Sequence, residues 1–466
     1  MSVRQAEIFE EQEEYQKAYE EYLNAYSSNP KDLNVLERLG HNALLLGKKE
    51  DAAKFYNEML QLDATNVMVY EELMNIYIQT DKYKYYICRG NLHSVQQQYE
   101  HAINDYKKAL NHTQEDGDIM NTRFVLATLY EQRGENLKAI DEYLKLLNYE
   151  NVDEVVYVKL ANVYMKDSMI PSAIETLERA ISKGHNSDNI KENLANLYIK
   201  EGLNDKALEI TNNELTEIKC LLGLERFNDA KSKLDELSDK YSQNPTYLSL
   251  AAEYYFATGD FDKALEYVDK FDNIQQNSPL TYQMRALIYE SKDDSYRAHV
   301  NWAKYNILRG NKDIAINEYL NAYQVKNDDA TMISSLATLL EDSGDKNHAM
   351  EMYERLVQLD DTDKIALQKL AEFRESIGDY KTQADYLEKL VEIDKRNFQL
   401  ILKLAQLYER LKNKPDAVAY YKKYLSIAPI NEETEKIKIK LDTLENTAME
   451  EDEGLVGAIM KIFSKR

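Results

Sequence analysis

Residues 307–323 read ILRGNKDIAINEYLNAY. Gly310 stands five residues before Ala315, Tyr319 follows four later, and Ala322 comes three after that. The same intervals return 34 residues on as Gly344, Ala349 and Tyr353, and near the start as Gly47, Ala52 and Tyr56. Such recurrence marks a repeat, whose period has to be settled before anything else is read. Around Gly310 the apolar residues fall at spacings of three and four on both sides of the glycine, in segments of about a dozen residues each, which predicts two helices and a turn.

Chaining windows by their small residues places unit starts near Leu33, Val67, Tyr83, Met120, Glu154, Asp188, Thr211, Pro245, Pro279, Tyr296, Ala330, Lys364 and Phe398, and most steps are 34 residues. Three further windows repeat the pattern. KLANVYMKDSMIPSAIETLERA supplies Ala161, Tyr164, Ala173 and Ala180, and NLANLYIKEGLNDKALEI supplies Ala195, Tyr198, Gly202 and Ala207. KLAQLYERLKNKPDAVAYYKKYLSIAP supplies Ala405, Tyr408, Ala417, Tyr421 and Pro429. These residues resemble the tetratricopeptide repeat (TPR), a helix-turn-helix unit of 34 residues, over residues 4–445. A small residue in mid-helix lets two backbones approach while an aromatic or leucine from the neighbour fills the gap. One pair cannot bury its own apolar face, so stability comes from stacking. The expected fold is all-α: a right-handed α-α superhelix, or TPR solenoid, of about a dozen helical pairs, with a C-terminal capping helix and a short amphipathic tail.

Two steps, from Val67 to Tyr83 and from Pro279 to Tyr296, are only half a repeat. One helix in each, KYKYYICRGNLHSV or SYRAHVNWAKYNIL, is expected to close one unit and open the next, with a kink or slip in the stack. The step from Asp188 to Thr211 is also short and predicts a stubby first helix in LTEIKCLLGLERF. The organisation read from these breaks is 1–82 for the N-terminal units, 83–210 for the central units, 211–295 for the units after the short repeat and 296–431 for the C-terminal units. A capping helix over 432–447 carries the stripe Ile437, Leu441 and Leu444, and 448–466 is an acidic linker followed by the amphipathic tail.

Composition agrees with helices joined by short turns. The 466 residues include only 14 Gly and 6 Pro. Lys plus Arg number 58 against 82 Asp plus Glu, a formal net charge of −24 that repels nucleic acid and anionic lipid and suits a basic partner. Cys88 and Cys220 are too few and too separate for a disulfide framework or a zinc cluster, and read as incidental thiols. The start MSVRQAEIFEEQEEYQ lacks the halves of a signal peptide, and no apolar run is long enough to span a bilayer, so a cytoplasmic body is expected.

No phosphate loop, HExxH, CxxC pair or nucleophile elbow occurs, which predicts a non-enzyme with no catalytic residues, no metal and no cofactor. The seven histidines are dispersed and read as surface residues; His93 and His101 could share a helix face, but the sequence shows no carboxylate constellation converging with them. The 36 tyrosines, with Tyr83, Tyr85 and Tyr86 clustered at the first irregular joint, read as packing with hydroxyls at the surface.

The resemblance implies that the first helix of each unit lines a concave groove, which would be entered by the residue after the small one and by the residue three further on. Those positions are Asn75 and Ile78, Asn162 and Met165, Asn196 and Ile199, Thr338 and Glu341, Glu372 and Glu375, and Gln406 and Glu409. The asparagines could grip a peptide backbone with donor and acceptor. Glu341, Glu375 and Glu409 form a ladder at 34-residue intervals whose mutual repulsion a basic segment would relieve. Family members that clamp acidic C-termini use basic groove residues, which these positions lack. The leading reading is a scaffold or adaptor that binds a peptide or partner protein in its groove, with a basic segment in the C-terminal third and no nucleic acid. The alternatives are a membrane-peripheral adaptor tethered by GLVGAIMKIFSKR and the regulatory subunit of an enzyme. In that tail Leu455, Val456, Ile459, Met460, Ile462 and Phe463 would contact lipid weakly, or dock on the solenoid or a partner.

Overall fold

The computed structural model describes residues 2–445, and its regular elements there are all helices. The chain divides into two compact units, Met1–Asp229 and Ala230–Arg466. The first opens with α1 (Ser2–Glu11), α2 (Tyr15–Ser28), α3 (Leu33–Leu45), α4 (Lys49–Leu62), α5 (Val67–Tyr77), α6 (Lys82–Val95) and α7 (Tyr99–Leu110). It continues with α8 (Asp116–Gln132), α9 (Asn136–Leu146), α10 (Glu154–Lys166), α11 (Ile170–Ser182), α12 (Asp188–Lys200), α13 (Asn204–Ile210) and α14 (Glu214–Gly223). Helix α15 (Phe227–Leu237) follows. The second unit holds α16 (Pro245–Ala257), α17 (Phe261–Ile274), α18 (Pro279–Ser291), α19 (Ser295–Leu308), α20 (Lys312–Val325) and α21 (Ala330–Ser343). It ends with α22 (Lys346–Leu359), α23 (Lys364–Ser376), α24 (Tyr380–Ile393), α25 (Phe398–Arg410), α26 (Lys414–Ile427) and a helix α27 over 432–445.

The repeat is punctuated by caps and turns in register. Asp329, Asp363 and Asn397 precede α21, α23 and α25, and their side chains accept from Met332 N at 3.1 Å, Ala366 N at 3.0 Å and Leu400 N at 3.1 Å, which satisfies backbone donors that a helix start leaves unpaired. Between the two helices of most pairs one residue takes positive φ, as Gly344 does at 89°, although the α5–α6 turn has none. Gln97, Asp293 and Lys412 occupy the same place in their repeats with φ of 59°, 56° and 58°. The turn is therefore present even where its glycine is missing.

In the α3–α4 pair the small residue of the first helix faces a ring of the second. A Cβ added at Gly40 would lie 2.5 Å from the ring of Tyr56, which is why α3 and α4 approach as closely as they do. Both half-repeat steps are helices shared by two pairs. Helix α6 packs against α5 and against α7, and Gly90 meets Tyr106 as Gly40 meets Tyr56. Helix α19 packs against α18 and α20, with Ala303 and Tyr319 buried together in one cluster.

At the third irregularity the first helix α14 is short, at 10 residues, and the helix before it, α13, is shorter still at 7 residues, which the sequence did not indicate. It stops after Ile210 because Thr211 turns out to bond Glu192 of α12 at 3.1 Å, and Asn213 then caps α14 by accepting from Leu215 N at 2.9 Å. At the far end α27 covers the last pair with Ile437 and Leu441 buried and Leu444 half-buried against the α25–α26 cluster. Its first turn is closed by Asn431, which accepts from Thr434 N at 3.0 Å.

The shared helix depends on Gly90 having no side chain. A Cβ there would sit 2.9 Å from the Tyr106 ring, which is buried and cannot withdraw. Gly90→Ala should lower stability in urea unfolding by about 1–2 kcal/mol, because overpacking exceeds the gain of about 1 kcal/mol in helix propensity. Gly117→Ala in α8, where nothing lies within 4 Å, should raise it by about 0.5 kcal/mol. A stabilising Gly90→Ala would show that this contact does not set the packing.

Candidate protein-interaction face

The residues singled out for the groove lie on the first helices of their pairs. Asn75 on α5 and Ile78 just after its end are exposed, as are Met165 on α10 and Asn196 on α12, while Asn162 and Ile199 are half-buried. Thr338, Glu372, Glu375 and Gln406 are exposed, and Glu341 and Glu409 are half-buried. The face thus runs through each unit separately and is apolar and amide-bearing in the first and acidic in the second. The tail residues Leu455, Val456, Ile459, Met460, Ile462 and Phe463 lie outside the described residues.

The carboxylate ladder is not the set of unrelieved charges that its spacing suggested. Glu341 accepts from the Tyr353 hydroxyl at 3.0 Å and pairs with Lys369 at 2.7 Å. Glu375 accepts from Gln383 Nε2 at 2.9 Å and pairs with Lys403 at 2.8 Å. Glu409 accepts from the Tyr421 hydroxyl at 2.6 Å and pairs with Lys440 of α27 at 2.7 Å. In the first unit Glu10 accepts from Tyr22 at 2.9 Å and meets Arg38 at 3.4 Å, and Glu131 lies 3.4 Å from the Tyr143 hydroxyl and 3.8 Å from Lys159.

Each is a clasp across three helices. At Glu10, Glu131 and Glu341 the carboxylate lies near the end of a first helix, the hydroxyl comes from 12 residues on in its partner, and the cation comes from 28 residues on in the next first helix. Glu375 keeps the cation at 28 but takes the Gln383 amide in place of a hydroxyl, and Glu409 keeps the hydroxyl at 12 but takes its cation from α27. Where Trp302 replaces the tyrosine, its indole N–H donates to Glu290 at 2.7 Å over the same 12-residue interval. The repulsion that a basic segment was to relieve is already relieved inside the array. The offsets of 12 and 28 were present in the sequence, but reading down the ladder at 34 hid what lies across it.

Glu372 differs. It accepts from Gln368 Nε2 at 2.8 Å on its own helix and is in no ion pair among the described residues. It lines two recesses. One, of about 350 Å³, opens between α23, α24 and α25 over Ala371, Leu387, Leu390 and Leu400, with Lys364, Asp394 and Lys403 at its rim. The other, of about 190 Å³, includes Met350, Tyr353 and Phe373.

A second correction concerns His93. A carboxylate does converge on it: Asp105, buried on α7, lies 2.9 Å from His93 Nδ1 and is held by the Arg89 guanidinium, and the His93 and His101 rings are 5.4 Å apart. Tyr83 likewise points inward, donating to the Asp118 carbonyl at 3.2 Å. Both cysteines are buried, which pushes the Cys88 thiol up to about 12 and that of Cys220 up to about 11. Among the described residues no group of His, Cys, Asp and Glu could hold a metal ion, and no helix is long and apolar enough to cross a membrane.

Tetratricopeptide-repeat family models match residues 3–67, 215–279, 330–363 and 398–431. The chain is a multi-repeat TPR protein. It is 25% identical over 300 residues to a TPR repeat-containing protein of Methanocaldococcus jannaschii, an alignment covering 63% of this chain and 49% of that protein. The chain thus spans about half the length of this curated relative. Among solved structures it is similar to a chain of the APC/C Cut9–Hcn1 hetero-tetramer, at 13% identity and a TM-score of 0.29 over 94% of this chain and 95% of that one. It is also similar to a chain of Naa15/Naa10 bound to HypK-THB, at 14% identity and 0.31 over 96% and 78%. On the first helices of these repeats Asn75, Met165, Asn196, Glu372 and Gln406 are exposed.

The clasps carry a pH signature. The Lys369 hydrogen bond holds the Glu341 carboxyl below its ordinary value and Lys403 does the same for Glu375; at Glu409 burial acts upward, and Lys440 and Tyr421 more than offset it. A carboxyl lowered by folding stabilises above its unfolded value and loses that contribution as pH falls through the lower folded one. The triple variant Glu341→Gln, Glu375→Gln, Glu409→Gln should melt lower than wild type at pH 7, by about 1 kcal/mol per half-exposed clasp at most, and the gap should narrow below about pH 4.5. A gap independent of pH would show that these ion pairs contribute nothing.

Proposed function

We propose that this TPR protein is a non-catalytic adaptor that takes a peptide segment of a partner on the first-helix face of its second unit. The segment would seat an apolar side chain in the recess between α23, α24 and α25 and place a neighbouring basic side chain on Glu372 and Asp394. The supporting observation is the recess itself, a cavity of about 350 Å³ with an apolar floor and a charged rim beside Glu372, which is in no ion pair among the described residues. A recess of that size has room for one or two side chains of a bound segment. Rim charges then govern association rate and salt dependence, while the buried anchor supplies most of the affinity.

Gln368 is exposed at the mouth of the recess, so Gln368→Trp should plug it without disturbing the core. Peptides selected from a random display library on the full chain should lose roughly tenfold or more in affinity for this variant, and Glu372→Lys should weaken those with a basic residue beside the anchor. Helicity and melting should stay near wild type. Selected peptides indifferent to both changes would refute the reading.

A further inference from the structure

Helix α6 has two packed faces and a third left open. Successive side chains turn by about 100°, so Gly90 and Ile87 form one stripe toward α7 and α8 while Cys88 and Leu92 form another that joins the cluster of α1–α5. The remaining stripe carries Lys82, Tyr85, Tyr86 and Arg89. A helix shared by two pairs has no further neighbour to cover that side. Lys82 is exposed and the other three are half-buried.

The stripe is organised. The Arg89 guanidinium is clamped by Asp105, with Nε 2.8 Å from Oδ2, and lies 5.2 Å from the Tyr85 ring centre and 5.0 Å from that of Tyr86. The two tyrosine rings meet edge to face at 5.3 Å. His112 stacks on Tyr86 at 5.4 Å, Lys108 lies 5.9 Å from the same ring and Lys82 lies 5.6 Å from Tyr85. Residues 82–112 hold Lys82, Lys84, Arg89, Lys107 and Lys108 against only Glu100 and Asp105, in a chain whose net charge is −24. Both acids are spoken for, Asp105 by Arg89 and Glu100 by Arg133 at 2.5 Å. Neither Lys82 nor Lys108 meets a carboxylate among the described residues; Lys82 donates to the Ile78 carbonyl at 2.6 Å.

We propose that this open face of α6 and α7 docks an acidic, carboxylate-rich peptide segment of a partner protein, at a site separate from the first-helix face. Lysines and an arginine already held over tyrosine rings are cations whose ordering cost has been met in the free protein. Tyr and Arg are also the side chains that most often anchor interfaces. The strongly acidic remainder of the surface repels an acidic peptide everywhere else, so complementarity confines it to this patch. A nucleic acid fits less well, because its charge continues along the strand and meets the acidic surface on either side.

The test uses the full chain and a short fluorescein-labelled peptide of alternating Glu and Leu, read by fluorescence anisotropy. Wild type should bind it saturably, more tightly in dilute buffer than at roughly 0.15 M salt. Lys82→Glu with Lys108→Glu should weaken binding by at least tenfold, and Tyr86→Ala by several-fold, with circular dichroism unchanged. A control with the same charge change at exposed sites elsewhere, Lys31→Glu with Lys395→Glu, should weaken it by less than threefold. No saturable binding by wild type, or an equal loss in the control, overturns the proposal. Tighter binding of a uridine oligonucleotide that Lys82→Glu with Lys108→Glu abolishes overturns it in favour of RNA. None of these outcomes bears on the recess of the second unit, which the peptide selection tests separately.

Discussion

A side chain reduced to hydrogen or methyl, set against a ring sixteen residues later, is the contact on which the array depends. Gly40 under Tyr56 and Gly90 under Tyr106 show it most plainly, since a Cβ at either glycine would enter the ring. The contact fixes how closely two helices approach, and the short turn with its positive-φ residue follows from that closeness. Tyr106 and Tyr319 are both buried, so each ring fills the space that the small residue opens. It also explains why a helix can be shared. Gly90 uses one side of α6 for the ring, leaving Cys88 and Leu92 free to close the preceding pair from the other.

Much of this was legible in the sequence because packing constraints recur at the repeat period. The shared helices were visible as half-steps at Tyr83 and Tyr296 and are observed as helices packed on two pairs. The capping stripe of Ile437, Leu441 and Leu444 packs as its spacing implied. Other features stayed hidden for physical reasons. Gln97 and Lys412 adopt the glycine conformation without being glycine, because the closed pair around the turn outweighs the cost of a left-handed residue. The short α13 was hidden because its length is set by Thr211 and Thr216 reaching Glu192, two long-range bonds that no local pattern announces.

The candidate site was harder to read. Glutamates at a constant interval look like a surface awaiting a partner, and a single-position reading cannot see that Tyr353 and Lys369 point at Glu341 from two other helices. The same blindness missed Asp105, whose burial between Arg89 and His93 is a tertiary fact. What distinguishes Glu372 is thus not its charge but that it is in no ion pair among the described residues, together with the recess it borders.

The clasps also say what the end of the array has to supply. Each draws its cation from the following first helix, so a last repeat would be left with a half-buried carboxylate facing only its tyrosine hydroxyl, an arrangement that costs free energy. At Glu409 the cation comes from Lys440 in α27, outside the 28-residue register that Lys369 and Lys403 obey. Helix α27 therefore imitates the next first helix in two respects at once: Ile437 and Leu441 cover the apolar edge of the last pair, and Lys440 answers its carboxylate. An apolar stripe alone would have capped the core and left the charge. The capping helix is as much an electrostatic terminus as a hydrophobic one.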